Sequence, residues 1–244
     1  MTTREDCVEL DRHDSLAPLR AEFLLPEGEI YLDGNSLGPV SLPAKRRVSE
    51  VLENEWARGL VRSWNAAGWM DMPIRLGDRL APMIGARPGE VLVADTLTFA
   101  IAKLVGAALD LRPERHVILT DRANFHSDIY ILRELARRHA RPIEVRTIDR
   151  NNLDDELGDD VALVEFTHVD FRTGEQLDLV GVTQRVHDAG ALMVWDFAHS
   201  VGAVPLDVTA ANVDFAAGCS YKYLNAGPGG PAFMYIRDSW QNKV

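Results

Sequence analysis

From about residue 91 onward the chain alternates short apolar runs with amphipathic stretches, and this alternation limits the possible folds more than any other feature. Val91-Leu92-Val93-Ala94, His116–Thr120, Ile143–Ile148, Val161–Phe166, Ala191–Trp195, Val213–Ala217 and Ala232–Ile236 have the length and apolar content of strands. Between them Thr96–Leu109, Ser127–Arg138 and Val180–Ala189 read as helices, the last followed by Gly190 where a left-handed helix stop belongs. Strands joined through helices make right-handed crossovers, so the order predicts an α/β fold: a mostly parallel sheet with helices on both faces.

The N-terminal part is different. Residues 1–28 read as short amphipathic helical pieces, and Ile30-Tyr31-Leu32 runs into a dense turn signal at Asp33–Pro39. A helix is predicted over Ser41–Leu60, where Val48, Val51, Leu52 and Trp56 recur at helical spacing, and another over Pro73–Ile84, closed by Gly85. We divide the chain into an N-terminal segment and helix, 1–60, packing on a large domain, 61–244. The acidic stretch Asp154–Asp160 reads as a solvated loop.

Charge and composition remove several classes of function. A net charge of −11 speaks against nucleic-acid or anionic-membrane partners, which recruit a basic face. No apolar run approaches the roughly 20 residues that span a bilayer. The start, Met1-Thr2-Thr3-Arg4-Glu5-Asp6, is acidic where a secretory signal would be basic and then apolar. Cys7 and Cys219 are the only cysteines, which suits a reducing compartment and makes the cytoplasm the expected location.

In open α/β sheets ligands sit beyond the carboxyl ends of the strands. The turns there hold Asp95-Thr96, Ala123-Asn124-Phe125, Thr167-His168, Asp196–His199 and Ser220-Tyr221-Lys222. Each residue has an ordinary structural use and a chemical one. Asp196, directly after five apolar residues, can cap a turn or keep a pyridine nitrogen protonated. His199 can be structural or lie near that ring. Thr96 can be a simple N-cap, or the helix start it opens can bind a phosphate. Phe125 can staple the next helix or stack on a planar ring. Only four of the 26 basic residues are lysines, at Lys45, Lys103, Lys222 and Lys243, and Lys222 alone follows an apolar strand and precedes the glycine-rich Gly227–Pro231. A desolvated lysine there can form a Schiff base with an aldehyde cofactor. Together these turns supply a phosphate cradle, a stacking face, a ring-nitrogen partner and an amine, which is the equipment for pyridoxal phosphate. Neither a dinucleotide nor a nucleotide-triphosphate fingerprint is present. There is also no nucleophile elbow and no metal-ligand spacing among the seven histidines, so no metal is expected.

The motifs Tyr31–Gly38, Arg62-Ser63-Trp64-Asn65, Asn124–Asp128, Thr167-His168-Val169, Trp195–Pro205 and Gly218–Asn225 resemble those of the kynureninases, fold-type I pyridoxal-phosphate enzymes, from about Ala17 to the end. The resemblance implies that Thr96 and Leu97 hold the phosphate and that Phe125 stacks on the ring. Asp128, Asp196 and His199 would contact the cofactor with Thr167 nearby. Tyr221 would touch the phosphate and relay protons, Lys222 would carry the cofactor, and Asn35 and Trp64 would line the substrate pocket. It further implies hydrolysis of L-kynurenine, and of its 3-hydroxy form, in a homodimer. His126 departs from the family's proline at that place, which alters a loop and removes no ligand. Complete family members continue into a small C-terminal domain, so by resemblance this chain is the N-terminal and large-domain portion, with that domain missing. Two rival expectations stand beside this one. The first is a cysteine-desulfurase-like lyase, since Asp-x-x-His followed by a lysine occurs there too. The second is a catalytically silent fragment that binds cofactor.

Overall fold

The structure is a computed structural model and describes residues 2–244. Helix α1 (Arg4–Arg12) begins with a capping box between Thr3 and Asp6 and buries no side chain. A 3-10 turn follows at Ala17–Glu22. Ile30 and Leu32 join no strand and are 87% and 86% exposed. The helix predicted over 41–60 is found in two parts: α2 (Leu42–Glu50), capped by Ser41, continues as a π-helix over Val51–Gly59. An i, i+4 apolar spacing suits either geometry, so periodicity does not separate them. Its apolar stripe of Val48, Leu52 and Trp56 is exposed. After α3 (Ser63–Ala66), α4 (Met72–Leu80) runs into a 3-10 turn that ends at Gly85 with φ 68°, where the sequence places the stop.

The alternating region follows as read: β1 (Val91–Val93), α5 (Leu97–Asp110), β2 (Val117–Asp121), α6 (His126–Arg138), β3 (Glu144–Ile148), α7 (Leu153–Glu156) and β4 (Val161–Thr167). Then come α8 (Leu179–Asp188), β5 (Leu192–Asp196), β6 (Phe215–Cys219), β7 (Ala232–Ile236) and α9 (Asp238–Gln241). Two details differ from the sequence reading. The stretch Asp154–Asp160 begins inside the short helix α7, and Asp160 pairs with Arg146 at 3.2 Å. Strand β6 starts at Phe215 because Val213 closes a turn onto the Val208 carbonyl.

The seven strands form one sheet in the order β1-β7-β6-β5-β4-β2-β3. β3, β2, β4, β5 and β6 are mutually parallel, and β7 runs against its neighbours β6 and β1. The predicted fold class, a mostly parallel sheet with helices on both faces, is therefore what the chain adopts. Side-chain alternation splits the core in two. Leu119, Val164, Phe166, Met193 and Trp195 pack toward α8 and the turn after α4, while Ile118, Leu163, Leu192 and Val194 pack toward α5 and α6. Burial on both faces explains why these strands read as continuous apolar runs.

Candidate active site

Strand parity assembles the site. The face that carries Ile118, Leu163 and Val194 toward α5 and α6 also carries, nearer the carboxyl ends, Thr120, Glu165, Thr167 and Asp196. This face changes from apolar to polar at the edge where ligands bind. Asp196 is buried there; its Oδ1 accepts the Ala198 N–H at 2.7 Å, and its Oδ2 lies 3.3 Å from the Thr167 hydroxyl. Burial pushes the Asp196 carboxyl up, while the Ala198 N–H and the Lys222 charge pull it back.

Lys222 stands in the loop between β6 and β7 and is only 7% exposed. It has no carboxylate within salt-bridge reach among the described residues. Its Nζ lies 5.8 Å from the centre of the Phe125 ring and 5.6 Å from that of Tyr221. The Tyr221 phenol is pushed up to about 12, by burial first and then by Cys219, so it keeps its proton at neutral pH. His199 is buried with Nδ1 unpartnered, stacks on Phe171 at 6.2 Å, and is met by the backbone of Asn35. Burial and then the Lys222 charge push His199 down to about 4, which keeps the ring neutral.

Phe125 is the N-cap residue of α6 and not a staple one residue further out. Its ring stacks on His126 and meets Phe171 edge-on at 5.1 Å. One turn into the helix, Asp128 is fully buried with Oδ2 unpartnered; burial, then Asp196 and Glu165, raise its carboxyl to about 9. Thr96 takes the N-cap position of α5, yet its side chain caps nothing. The hydroxyl and the first-turn N–H groups from Leu97 onward are thus available to an anion. Trp64, by contrast, is 51% exposed and stacks edge-on against Trp69.

A buried amine without an ion-pair partner among the described residues, an aromatic face beside it, unpartnered buried polar atoms on Asp128 and His199, and an open helix start together fit a pyridine aldehyde phosphate. Three further residues, to which the sequence alone assigns no role, contribute. Glu165 is a charged residue inside an apolar strand, a signal visible in Val161–Phe166. Asn124 bonds Glu165, Phe125 and Thr167 at once, which only the fold brings about. Gly38, read as a turn residue, donates its N–H to the Tyr221 carbonyl at 2.9 Å.

Residues 76–244 match the family model Aminotransferase class-V, and the chain belongs to that family. The cofactor of this class is pyridoxal 5′-phosphate. Within it, the chain is 52% identical over 241 residues to a kynureninase of Burkholderia pseudomallei (strain K96243), covering 97% of this chain and 58% of the relative. It is 49% identical to the kynureninase of Pseudomonas fluorescens over the same shares. The chain thus spans 58% of the length of these curated relatives. In fold it is similar to a cysteine desulfurase from Thermococcus onnurineus NA1, with a TM-score of 0.71 and 23% identity over 96% of this chain and 58% of that one. An Escherichia coli cysteine desulfurase gives 0.74 and 18% over 92% and 58%. Among the described residues no helix is long and apolar enough to cross a membrane.

Proposed function

We propose that this chain carries the cofactor site of a kynureninase, which cleaves L-kynurenine with water to anthranilate and L-alanine and treats the 3-hydroxy form likewise, in tryptophan catabolism and, further on, NAD biosynthesis. The 52% identity with kynureninases over 241 residues carries this reading, because the fold and the buried lysine alone suit cysteine desulfurases equally. Turnover belongs to the protein of the relatives' full length.

Pyridoxal phosphate supplies an electron sink for the pair left on the substrate when a bond breaks. The remaining work falls to side chains. The Lys222 amine would hold the aldehyde and, when free, would take the Cα proton of the substrate. Asp196 would balance the positive charge of the ring nitrogen through Oδ2. Phe125 would stack on the ring, and Thr96, Leu97 and Tyr221 would hold the phosphate. Asp128, Thr167 and His199 would contact the ring substituents, His199 as a neutral donor or acceptor. Tyr221, whose phenol stays protonated, gives a proton to the carbon that leaves as alanine. The contact of the Asn35 backbone with His199 supports a place for Asn35 in the substrate pocket, and Trp64 is assigned there by its motif. The exposed apolar residues Ile30, Leu32 and Trp56 support a homodimer, and the acidic, cysteine-poor composition supports a cytoplasmic enzyme.

The desulfurase reading needs a mobile thiolate. Cys219 is buried with its thiol raised by that burial, and Cys7 is exposed on α1; the burial of Cys219 favours the first reading. Titrating the chain with pyridoxal phosphate should give a visible absorbance band that borohydride fixes on the protein and that Lys222→Ala lacks. Release of anthranilate from kynurenine by the relatives' full-length form then tests the substrate, and sulfide release from L-cysteine in its place would overturn it.

A further inference from the structure

Glu165 is the one buried carboxyl on this face to which the proposed chemistry gives no task. It sits in the middle of β4 at 0% exposure, between Val164 and Phe166, with no cation within salt-bridge reach among the described residues. The charges near it are mostly of its own sign. Asp196 faces it from β5, Asp121 from β2 (itself paired with Arg150 at 2.7 Å) and Asp128 from α6. Helix α5 turns only apolar side chains, among them Ala100, Ile101 and Leu104, into this core. The positive charge of Lys222 acts on Asp128 and Asp196. A carboxyl in such a place is held neutral by burial and by these neighbours, and its ordinary value is raised to about 8.

Its hydrogen bonds lead to the cofactor site in three steps. Glu165 Oε2 accepts from the Thr120 hydroxyl at 3.0 Å and from the Asn124 side-chain amide at 2.7 Å. With its amide nitrogen held there, Asn124 presents Oδ1 the other way, where it accepts the Phe125 N–H at 2.8 Å and the Thr167 hydroxyl at 2.5 Å. A threonine hydroxyl has a single proton to donate. The nearer acceptor is Asn124, so Asp196 Oδ2, at 3.3 Å, receives none. Because the Ala198 N–H is on Oδ1, Oδ2 stays open for a donor from a ligand.

We propose that Glu165 is a positioning residue for the ring-nitrogen subsite: through Asn124 it directs the Thr167 proton away from Asp196 and fixes the Phe125 loop, leaving Asp196 Oδ2 free for the cofactor's ring N–H. The role rests on the pyridoxal-phosphate reading of the site. Glu165 acts as an uncharged acceptor; once ionised at alkaline pH, it adds a second negative charge beside Asp196 and weakens the site for an anionic cofactor.

The test compares Glu165→Gln and Glu165→Leu with the parent chain, measuring pyridoxal phosphate dissociation constants by absorbance at pH 7 and pH 9 and thermal midpoints without cofactor. Glutamine keeps the acceptor and removes the ionisation. Its affinity at pH 7 should stay within about twofold of the parent, and its loss of affinity between pH 7 and 9 should be at least threefold smaller. Leucine removes the acceptor and leaves the buried Asn124 amide with only its 3.1 Å contact to the Thr120 hydroxyl. It should bind about tenfold more weakly at both pH values, a loss larger than any fall in its midpoint accounts for, which a merely structural role would not produce. If both variants bind as the parent does at both pH values, or if leucine loses affinity only in step with its midpoint, the proposal is overturned. A parent chain that binds no cofactor while folded would overturn the cofactor reading itself, and this role with it.

Discussion

The N–H of Gly38 donates to the carbonyl oxygen of Tyr221 at 2.9 Å, which docks the N-terminal turn directly on the loop that holds Lys222. A Cβ at position 38 would lie 2.1 Å from the Lys222 carbonyl oxygen and 2.1 Å from Asn225 Oδ1, so the close approach needs glycine. Gly38→Ala must push the two segments apart. It should cost about 1–3 kcal/mol in chemical denaturation, as overpacking does, and weaken pyridoxal phosphate binding about tenfold by absorbance titration, close to 1.4 kcal/mol. Parent-like binding would mean that the turn does not shape the site.

Asp196→Asn keeps an oxygen for the Ala198 N–H and removes the charge that faces the ring nitrogen. Cofactor affinity should fall by about 100-fold, near 2.7 kcal/mol. Stability without cofactor should hold or rise, because a buried carboxyl among two others is lost. Equal affinity in the two proteins would remove Asp196 from the site.

The pH dependence of stability without cofactor follows from the shifted groups. His168 and His199 are both pushed down to about 4 by burial, so they withhold protons that the unfolded chain takes up below about 6.5. Their contribution is present above that value and is lost as pH falls toward 4. Asp128 and Glu165 are raised, to about 9 and about 8, so they keep protons that the unfolded chain has released. Their contribution is present below about 4 and is lost as pH rises through 8 to 9. The two pairs oppose each other between about pH 4 and 6.5. Above that only the carboxyls act, each at up to about 1.4 kcal/mol per pH unit. Denaturation midpoints should therefore fall from pH 6.5 to pH 8, with the raised Asp196 carboxyl adding to the fall, and Asp128→Asn should make the slope shallower without abolishing it. A flat or rising profile would contradict the assignment.

Arg150 carries two nearly buried ion pairs, to Asp121 and to Asp170, both at 2.7 Å. Burial works to raise the Asp170 carboxyl, but bonds from Arg172 and Arg150 hold it well below the usual range. Arg150→Ala leaves Asp121 without its cation and Asp170 with Arg172 alone, and should destabilise the chain by about 3 kcal/mol, read as a shift of the urea midpoint. Arg150→Met with Asp121→Asn and Asp170→Asn should recover much of the loss, because the uncompensated charge then disappears.

The local pattern of the sequence determined the parts. Apolar runs and helical spacing marked each strand of the sheet and the helices α5, α6 and α8 to within a few residues, and the strand ends marked where Asp196, Phe125, Thr96 and Lys222 would stand. That information is short-range: periods of two and of 3.6 residues are written into any window of ten. The tertiary structure decided which parts meet. The order β6-β5-β4-β2 places Asp196, Thr167, Glu165 and Thr120 side by side, and no periodicity encodes that order. The same holds for Gly38 beneath the Lys222 loop and for the Asn124 bonds that link three elements. The exposed positions of Trp64 and of the Val48–Trp56 stripe likewise follow from packing. A strand's parity sets the face a side chain takes; only the neighbouring strand and the covering helix decide whether it meets a partner, a ligand or water.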